Sequence, residues 1–259
     1  MNRLRGGIGA ILLAASLMTT TGVQADESKW DIVKVTEKAK LGDRVAQSFL
    51  GWVYSRGDGV QLDNKKAFYW LEKAANQGDS AAQEELARMY ANGLAVPQND
   101  TKAFHWYNEA AKQGRMLAQG MVGYSYYFGK GVAVDHEQAI AWFTKAAKQG
   151  DVDAKAALGS LYENGLGAPK DNKIAISWYR QAAEQGNSKA QHNLAAMYFE
   201  GRGTTQDFVQ SYAWFSVATA NGEERSQVER DKAAQRLTPE QLAKGQELAA
   251  NYFEKYQPQ

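Results

Sequence analysis

Cysteine is missing from the chain and proline is scarce, with 0 and 4 residues among 259. The absence of cysteine excludes disulfides, thiolate zinc sites, cysteine nucleophiles and a lipid anchor on an N-terminal cysteine. A surplus of one charge is also lacking, because 30 Lys and Arg residues oppose 29 Asp and Glu residues. A net charge of +1 creates no bulk field that would draw nucleic acid or an anionic membrane, so we expect neither as a partner.

The first 25 residues have the features of a secretory signal peptide. Arg3 and Arg5 precede an apolar run at 8–18, and Val23 and Ala25 place small residues around a cleavage site. The run is too short to span about 30 Å of hydrocarbon comfortably, which disfavours a membrane anchor. We therefore expect cleavage after Ala25 and a chain without an integral membrane segment. Its expected location is the periplasm, with an extracellular location as the alternative.

Glycine recurs every 36 residues, and a period of this size indicates a solenoid. The glycines in register are Gly42, Gly78, Gly114, Gly150, Gly186 and Gly222. They define five repeats without an insertion, at 42–77, 78–113, 114–149, 150–185 and 186–221. We expect an N-terminal capping helix at 26–41 and a C-terminal capping helical hairpin at 222–259, because terminal repeats must shield the stacking face.

Each repeat predicts two helices joined by a glycine turn. Ala46, Leu50 and Tyr54 recur in register and predict the buried face of the first helix. Gly57 and its equivalents end this helix, and Asp63 and its equivalents cap the second one. The tyrosines expected in the repeated core are Tyr54, Tyr90, Tyr126, Tyr162 and Tyr198.

The second helix carries one tryptophan per repeat, followed by alanine four residues later. A large ring beside a small residue suits helices that cross closely, so we interpret the tryptophans as core wedges rather than as a ligand cage. Truncating Trp142 to alanine should then cost about 3–5 kcal/mol. The five tryptophans are Trp70, Trp106, Trp142, Trp178 and Trp214.

These columns resemble the Sel1-like repeat family, relatives of the tetratricopeptide repeats. The family pattern runs Gly-x-x-x-Ala-Gln-x-x-Leu-Gly-x-x-Tyr, then Gly-x-Gly-Val, Asp, Ala, Trp and Ala-Ala. The repeat at 114–149 matches nearly every position, with Val122 in place of leucine. The resemblance implies an all-α fold, a right-handed superhelical solenoid of antiparallel helix pairs. It also implies a protein-binding adaptor that is not an enzyme and needs no cofactor.

In the related repeats the first helices line the inner curve, where we expect the partner to bind. Positions 44, 48, 52 and 55 and their equivalents lie opposite the predicted buried face, and there the copies differ. Aromatic and arginine side chains dominate interface energies, which favours those among the varied positions. The alternative is that these positions drift, or that some of the aromatic rings pack against a neighbouring repeat. The predicted partner-binding residues are Arg44, Trp52, Glu84, Arg88, Tyr124, Tyr127, Glu163, His192 and Phe199.

No catalytic or metal-binding residues are predicted. His105, His136 and His192 occupy different columns without metal-ligand spacing, and the turn at 129–131 lacks the Gly-Lys-Ser/Thr ending of a phosphate loop. Some cysteine-rich relatives are described as penicillin-binding or β-lactamase-like, but this chain lacks the cysteines that define them.

The resemblance extends to the role of exported bacterial members. They serve as immunity proteins to secreted antibacterial effectors such as phospholipases, and as regulators or assembly factors of the cell envelope. We expect a monomeric protein-binding scaffold in one of these roles. A hydrolase acting on β-lactams or peptidoglycan is the weaker alternative.

Overall fold

The computed structural model describes residues 31–256, and every regular element in this range is an α-helix. The predicted signal peptide lies outside the described residues. The helices are α1 (Ile32–Lys40), α2 (Arg44–Arg56), α3 (Asn64–Asn76), α4 (Ser80–Asn92), α5 (Asp100–Lys112), α6 (Met116–Phe128), α7 (His136–Lys148), α8 (Val152–Asn164), α9 (Asn172–Ala183), α10 (Ser188–Glu200), α11 (Phe208–Ala220), α12 (Ser226–Ala234) and α13 (Pro239–Lys255). Helices adjacent in sequence pack in pairs, and the pairs stack into the predicted all-α solenoid.

The boundaries of each pair follow from capping residues. In the first repeat, the Asp43 side chain accepts a hydrogen bond from the backbone N–H of Ala46 at 2.8 Å and begins α2. Gly57 ends this helix in the left-handed conformation, with φ 75°. The backbone N–H of Asp63 then donates to the carbonyl of Tyr54 at 3.0 Å, and the Asp63 side chain caps α3. The glycine end and the bonds of Asp63 have equivalents in all five repeats, whereas the side-chain cap of the first helix is missing in repeat three, which has Arg115 there. The hairpin is thus built mainly by local sequence.

The second glycine of the turn is required by stacking. Gly131 has φ 74°, and a Cβ atom there would lie 2.1 Å from the backbone carbonyl oxygen of Asp100 in the preceding repeat. Gly167 and Gly203 approach the repeats before them in the same way. Ala95 is the exception, since it holds φ 66° without being glycine.

The deepest large side chain of each second helix is the residue that follows the tryptophan. These side chains are Leu71, Tyr107, Phe143, Tyr179 and Phe215, and all are buried. In repeats one, three and four this side chain faces a glycine of the first helix: Gly51, Gly123 or Gly159. A Cβ atom on Gly123 would lie only 2.6 Å from Cδ1 of Phe143. The expected interlocking of a large and a small residue is therefore present, but one residue after the tryptophan and across the two helices.

The tryptophans differ in burial from the expected uniform wedge. Trp70 and Trp214 are buried, whereas Trp106, Trp142 and Trp178 are half-buried. The side of Trp142 that is not packed on the core carries the ammonium of Lys145, 3.7 Å from the centroid of an indole ring. The central tryptophans thus seal the edge of the core, because the position after them fills its centre.

The repeated tyrosines were expected to be buried, and only Tyr90 is fully so. The other four, Tyr54, Tyr126, Tyr162 and Tyr198, are half-buried. Tyr90 and Tyr126 each meet a phenylalanine of the preceding repeat edge to face, at 5.4 Å between ring centroids. These rings lie at the boundary between repeats, where one edge stays accessible to solvent.

A ladder of glutamine side chains joins the repeats through polar contacts. Gln83 Nε2 donates to the carbonyl of Ala75 in the preceding repeat at 3.2 Å. Gln113 Nε2 donates to Gln83 Oε1 at 2.8 Å and to the carbonyl of Gly78 at 3.2 Å. Repeats one and three make the same bonds. Repeat four has Lys155 at this position, 7 % exposed, and the ladder is interrupted there.

Both ends of the stack are covered by helices. At the start, α1 buries Ala39 against α2, and Gln47 Nε2 donates to the Ala39 carbonyl at 2.9 Å. At the end, α13 begins with a capping box formed by Thr238 and Gln241 and lays two tyrosine rings, Tyr252 and Tyr256, on Trp214 at 4.5 and 5.5 Å.

The first helices lie on the inner side of the stack. Successive first helices contact each other at α2–α4 and α6–α8, and α10 contacts α12 in the same way. Among the second helices of the five repeats, no two successive ones share a comparable contact, and only the last of them, α11, is covered by a later second helix, α13 of the C-terminal hairpin. Elements that approach each other more closely occupy the tighter side of a curved stack, so the exposed side of the first helices forms the inner face.

Candidate functional site

One row of side chains on each first helix points to solvent. In repeat one it comprises positions 45, 49, 52 and 56. In every repeat the outer two of these positions are exposed and the middle two are half-buried. We call these positions the solvent row. Its centre lies one residue later than the expected row at 44, 48, 52 and 55. Of the predicted partner-binding residues, Trp52, Arg88 and Tyr124 lie in it.

Position 48 and its equivalents, which were predicted to face the partner, point toward the next repeat. Ser48 Oγ donates to Asp79 Oδ1 at 3.0 Å, and Glu84 pairs with Arg115 at 2.6 Å. His192 Nδ1 lies 2.9 Å from Ser226 Oγ in α12. Glu84 and His192 are therefore engaged in joints between units. Burial, with a smaller contribution from the Arg225 charge, lowers the pKa of His192 below its ordinary value.

Position 55 and its equivalents, also predicted to face the partner, are half-buried. The Tyr179 hydroxyl donates to Glu163 Oε2 at 2.7 Å, and Glu163 forms an ion pair with Arg202 of the next repeat. Burial and this carboxylate raise the pKa of Tyr179 far above its ordinary value. Phe199 packs against Phe208 with ring centroids 5.2 Å apart. The Glu163–Arg202 pair joins consecutive hairpins, whereas the other two contacts hold the helices of one hairpin together.

Repeat three is apolar along its whole solvent row. Leu117 and Phe128 are 52 % and 59 % exposed, and Met121 and Tyr124 between them are half-buried. We call these four residues the repeat-three row. The same positions in repeats two, four and five are polar, charged or alanine, as Ala81, Glu85, Arg88 and Asn92, then Asp153, Ala157, Ser160 and Asn164, and then Lys189, Asn193, Ala196 and Glu200.

Aromatic contacts hold the row in place. The rings of Tyr124 and Phe128 are nearly parallel with centroids 6.1 Å apart, and Tyr127 meets Phe128 edge to face at 4.7 Å. Tyr124 also contacts the buried Phe143 ring at 4.8 Å. Burial, with smaller contributions from Asp153 and Asp151, raises the pKa of Tyr124 to about 12. Its phenol is therefore a neutral donor throughout the physiological range.

Repeats one and two present mixed chemistry beside this row. In repeat one, the Arg56 guanidinium lies 4.6 Å from a ring centroid of Trp52, and Arg44 is exposed at the edge, 4.0 Å from Asp79. In repeat two, Arg88 Nε donates to Glu85 Oε2 at 2.9 Å. Burial opposes ionisation of Glu85, but Arg88 holds its pKa below the ordinary value. The pair is therefore ionised beside the apolar row.

Sequence reasoning missed Leu117, Met121 and Phe128. The signal lies at positions 45, 49, 52 and 56 and their equivalents, where repeat three alone carries large apolar side chains at all four positions. It was overlooked because the buried face was centred on Tyr54 and its equivalents, which are mostly only half-buried.

Within residues 31–256, no group of three or more His, Asp and Glu side chains is placed to hold a metal ion. In the same range, none of the helices has the length and apolar character that crossing a membrane requires.

The fold and its inner face define a class, the helical-repeat scaffolds. Comparison with protein families gives the particular one: the Sel1 repeat model matches at 44–79, 80–114, 117–151, 152–187 and 188–223. The chain belongs to the Sel1 repeat family. Proteins of this family are protein-binding scaffolds and are generally non-catalytic.

Solved structures agree with this assignment. A Sel1 repeat protein from Oxalobacter formigenes is 30 % identical, with a TM-score of 0.67, over 74 % of this chain and 84 % of that one. A protective antigen of uropathogenic Escherichia coli with an SLR fold is 33 % identical, with a TM-score of 0.58, over 87 % of this chain. The matched region spans 56 % of that antigen.

Likeness to other proteins does not define a role. An immunity protein from Pseudomonas aeruginosa is 18 % identical, with a TM-score of 0.40, over 86 % of this chain and 81 % of that one, which is too low for a role to be transferred. No curated protein matches the chain significantly.

Proposed function

We propose that this protein is a non-catalytic scaffold that binds a partner protein through the inner face of its repeats, and that it acts in the periplasm after export. One observation carries the binding proposal. The solvent row of repeat three is apolar over its full length, although the same positions of the neighbouring repeats hold polar, charged or alanine residues. Large apolar and aromatic side chains at the centre of a polar surface are typical of protein interfaces.

The composition of the flanks supports the same proposal. Trp52 and Arg88 lie in the same position of their repeats as Tyr124, so an aromatic ring, a guanidinium and a phenol form one line across three repeats. Tryptophan, tyrosine and arginine supply most of the binding energy at interfaces. Arg88 is paired with Glu85, which removes the cost of burying an unpaired charge under a partner.

The finer role that we propose is immunity: the inner face covers the active-site mouth of a secreted antibacterial effector, such as a phospholipase, without turnover. A regulator or assembly factor of the cell envelope is the alternative, and it would use the same face. The two roles differ in outcome. An immunity protein protects cells that receive the effector in their periplasm, and its gene normally lies beside the effector gene.

The binding proposal is tested by capture from periplasmic extract with the full chain as bait. The variant bait carries Tyr124→Ser and Phe128→Asn, which repeat four tolerates at the equivalent Ser160 and Asn164. We expect a stoichiometric partner that the wild-type chain retains and the variant loses, while circular dichroism shows that the variant is still folded at the capture temperature. Equal capture by both chains would overturn the use of this face. Protection of cells from the captured partner would then separate immunity from an assembly role.

A further inference from the structure

The two ends of the repeat-three row carry opposite charges. Asp153 is exposed in repeat four at the position equivalent to Leu117. It accepts a hydrogen bond from Asn187 Nδ2 at 2.9 Å, and it forms no ion pair with any described residue. Lys130 is exposed two residues beyond Phe128 and likewise has no ion-pair partner within residues 31–256. An occupant of the row would therefore meet an unpaired acid at one end and an unpaired base at the other.

The side chains that flank the repeat-three row differ in length between its two sides. On α4, the paired Glu85 and Arg88 stand beside Met121 and Tyr124. On α8, the equivalent positions are Ala157 and Ser160, whose side chains are short. The side chains beside the row are therefore shorter on the α8 side than on the α4 side.

The spacing of the row matches a helix. Its four residues are separated by four, three and four positions and cover about 16 Å along the axis of α6. Another α-helix with apolar side chains at the same spacing presents a ridge of the same period. An extended strand, whose side chains on one face repeat about every 6.6 Å, does not keep step with the row over this length.

The charges also indicate a direction. A helix is stabilised by an acidic residue in its first turn and a basic residue in its last turn. Such a helix satisfies both Lys130 and Asp153 only when its first turn lies at the Phe128 end and its last turn at the Leu117 end. It then runs antiparallel to α6.

Resting on the proposed function, we propose that the occupant is an amphipathic α-helix of the partner protein, seated antiparallel to α6. Its apolar face covers the repeat-three row, a basic residue of its last turn meets Asp153, and an acidic residue of its first turn meets Lys130. The partner class is thus a protein with an exposed helix of about four turns and this charge order.

The test uses two labelled peptides of 16 residues and identical composition. Both carry leucine at four positions spaced by four, three and four, in an alanine and glutamine background. The first has two glutamates in its first turn and two lysines in its last, and the second has one glutamate and one lysine in each of these turns. Fluorescence anisotropy measures binding of each peptide to the full chain. Two exposed charge pairs predict about ten-fold tighter binding of the first peptide.

Variants of the chain make the test specific. A spin label on the N-terminus of the first peptide should broaden the NMR signals of Phe128 rather than those of Leu117, and the double charge reversal Asp153→Lys with Lys130→Glu should exchange the two ends. Tyr124→Ser with Phe128→Asn should abolish binding of both peptides. Tyr69→Ser, at an exposed aromatic of α3 where repeat four has Ser177, should change nothing.

Equal affinity for the two peptides in the wild-type chain, or an orientation that the charge reversal leaves unchanged, would overturn the proposal. So would no binding of either peptide. If one of these results is found while the Tyr124→Ser and Phe128→Asn variant still loses the partner from extract, the proposed function stands and only the helical, oriented occupant fails.

Discussion

Repeats three and four share the close approach of their two helices and present different chemistry to solvent. A Cβ atom on Gly123 would lie 2.6 Å from the Phe143 ring, and one on Gly159 would lie 2.6 Å from the Tyr179 ring. Yet Leu117 to Phe128 is an apolar row, while repeat four shows short and polar side chains. The difference indicates that close approach of the two helices fixes the internal columns. It leaves the solvent row free to differ between repeats.

The largest test of this comparison lies inside repeat three. Phe143→Ala removes a fully buried ring and should lower the free energy of unfolding by about 3–5 kcal/mol. Trp142→Ala removes a half-buried ring whose exposed side carries Lys145, so we expect a loss of roughly 1–2 kcal/mol. This revises the larger loss expected for Trp142 from sequence. Urea denaturation of both variants measures the difference.

An equal loss for the two variants would show that the tryptophan shares the central role with its neighbour. Tyr179→Ala in repeat four should behave like Phe143→Ala, because the two rings occupy the same column and are both buried. A much smaller loss there would mean that the internal contacts of the two repeats are less alike than their geometry indicates.

The second test concerns the contact between repeats at the turn. Gly131→Ala forces a Cβ atom against the Asp100 carbonyl and also places alanine at φ 74°. The matched control is Gly150→Ala at the start of repeat four, where φ is 105° and no atom lies within 4 Å of the added Cβ. We expect about 3 kcal/mol of destabilisation at Gly131 and about 1–2 kcal/mol at Gly150.

Thermal and urea unfolding of these two variants separate steric contact from backbone conformation. Similar losses at both positions would show that the left-handed conformation accounts for the whole effect. The backbone at the turn would then shift enough to accommodate the added Cβ atom. Ala95, which already holds φ 66° in repeat two, offers the reverse change. Ala95→Gly should stabilise the chain by about 1 kcal/mol.

The sequence predicted the helices and the stack because these depend on local signals repeated five times. Asp43, Gly57 and Asp63 act within a few residues of their own position, and a 36-residue period averages out a single exception such as Val122. The all-α solenoid and the Sel1 repeat family could therefore be predicted from the sequence alone.

The candidate site was only partly predictable. Trp52, Arg88 and Tyr124 were placed in the solvent row, but Glu84, Glu163 and His192 are engaged in contacts between repeats. Sequence periodicity defines a helix face to within about one residue, or 100° of rotation. That error is enough to exchange an exposed position for one that faces the next hairpin. The inter-repeat contacts that resolve it join residues 31 to 39 positions apart.

The smallest expected effect concerns the interrupted ladder in repeat four. In the other repeats a glutamine at this position donates to the carbonyl of an alanine eight residues earlier and accepts from the side-chain amide at the end of the second helix. Lys155 has no acceptor atom in its side chain, so it cannot complete the second bond. This second bond joins the two helices of one repeat, so repeat four lacks a contact that the other repeats have.

Lys155→Gln should restore the ladder, since the surrounding backbone is already in place. Gln185 and Gly186 donate to the carbonyls of Ala182 and Ala183 as their equivalents do in repeat one. A net gain of about 1 kcal/mol in the free energy of unfolding follows from completing these bonds, and urea denaturation can resolve it. The matched control is Gln119→Lys in repeat three, which should lose a comparable amount. If Lys155→Gln destabilised the chain instead, the buried stem of the lysine would be contributing packing that glutamine cannot replace. Repeats three and four would then differ in how their interiors pack as well as in their solvent rows.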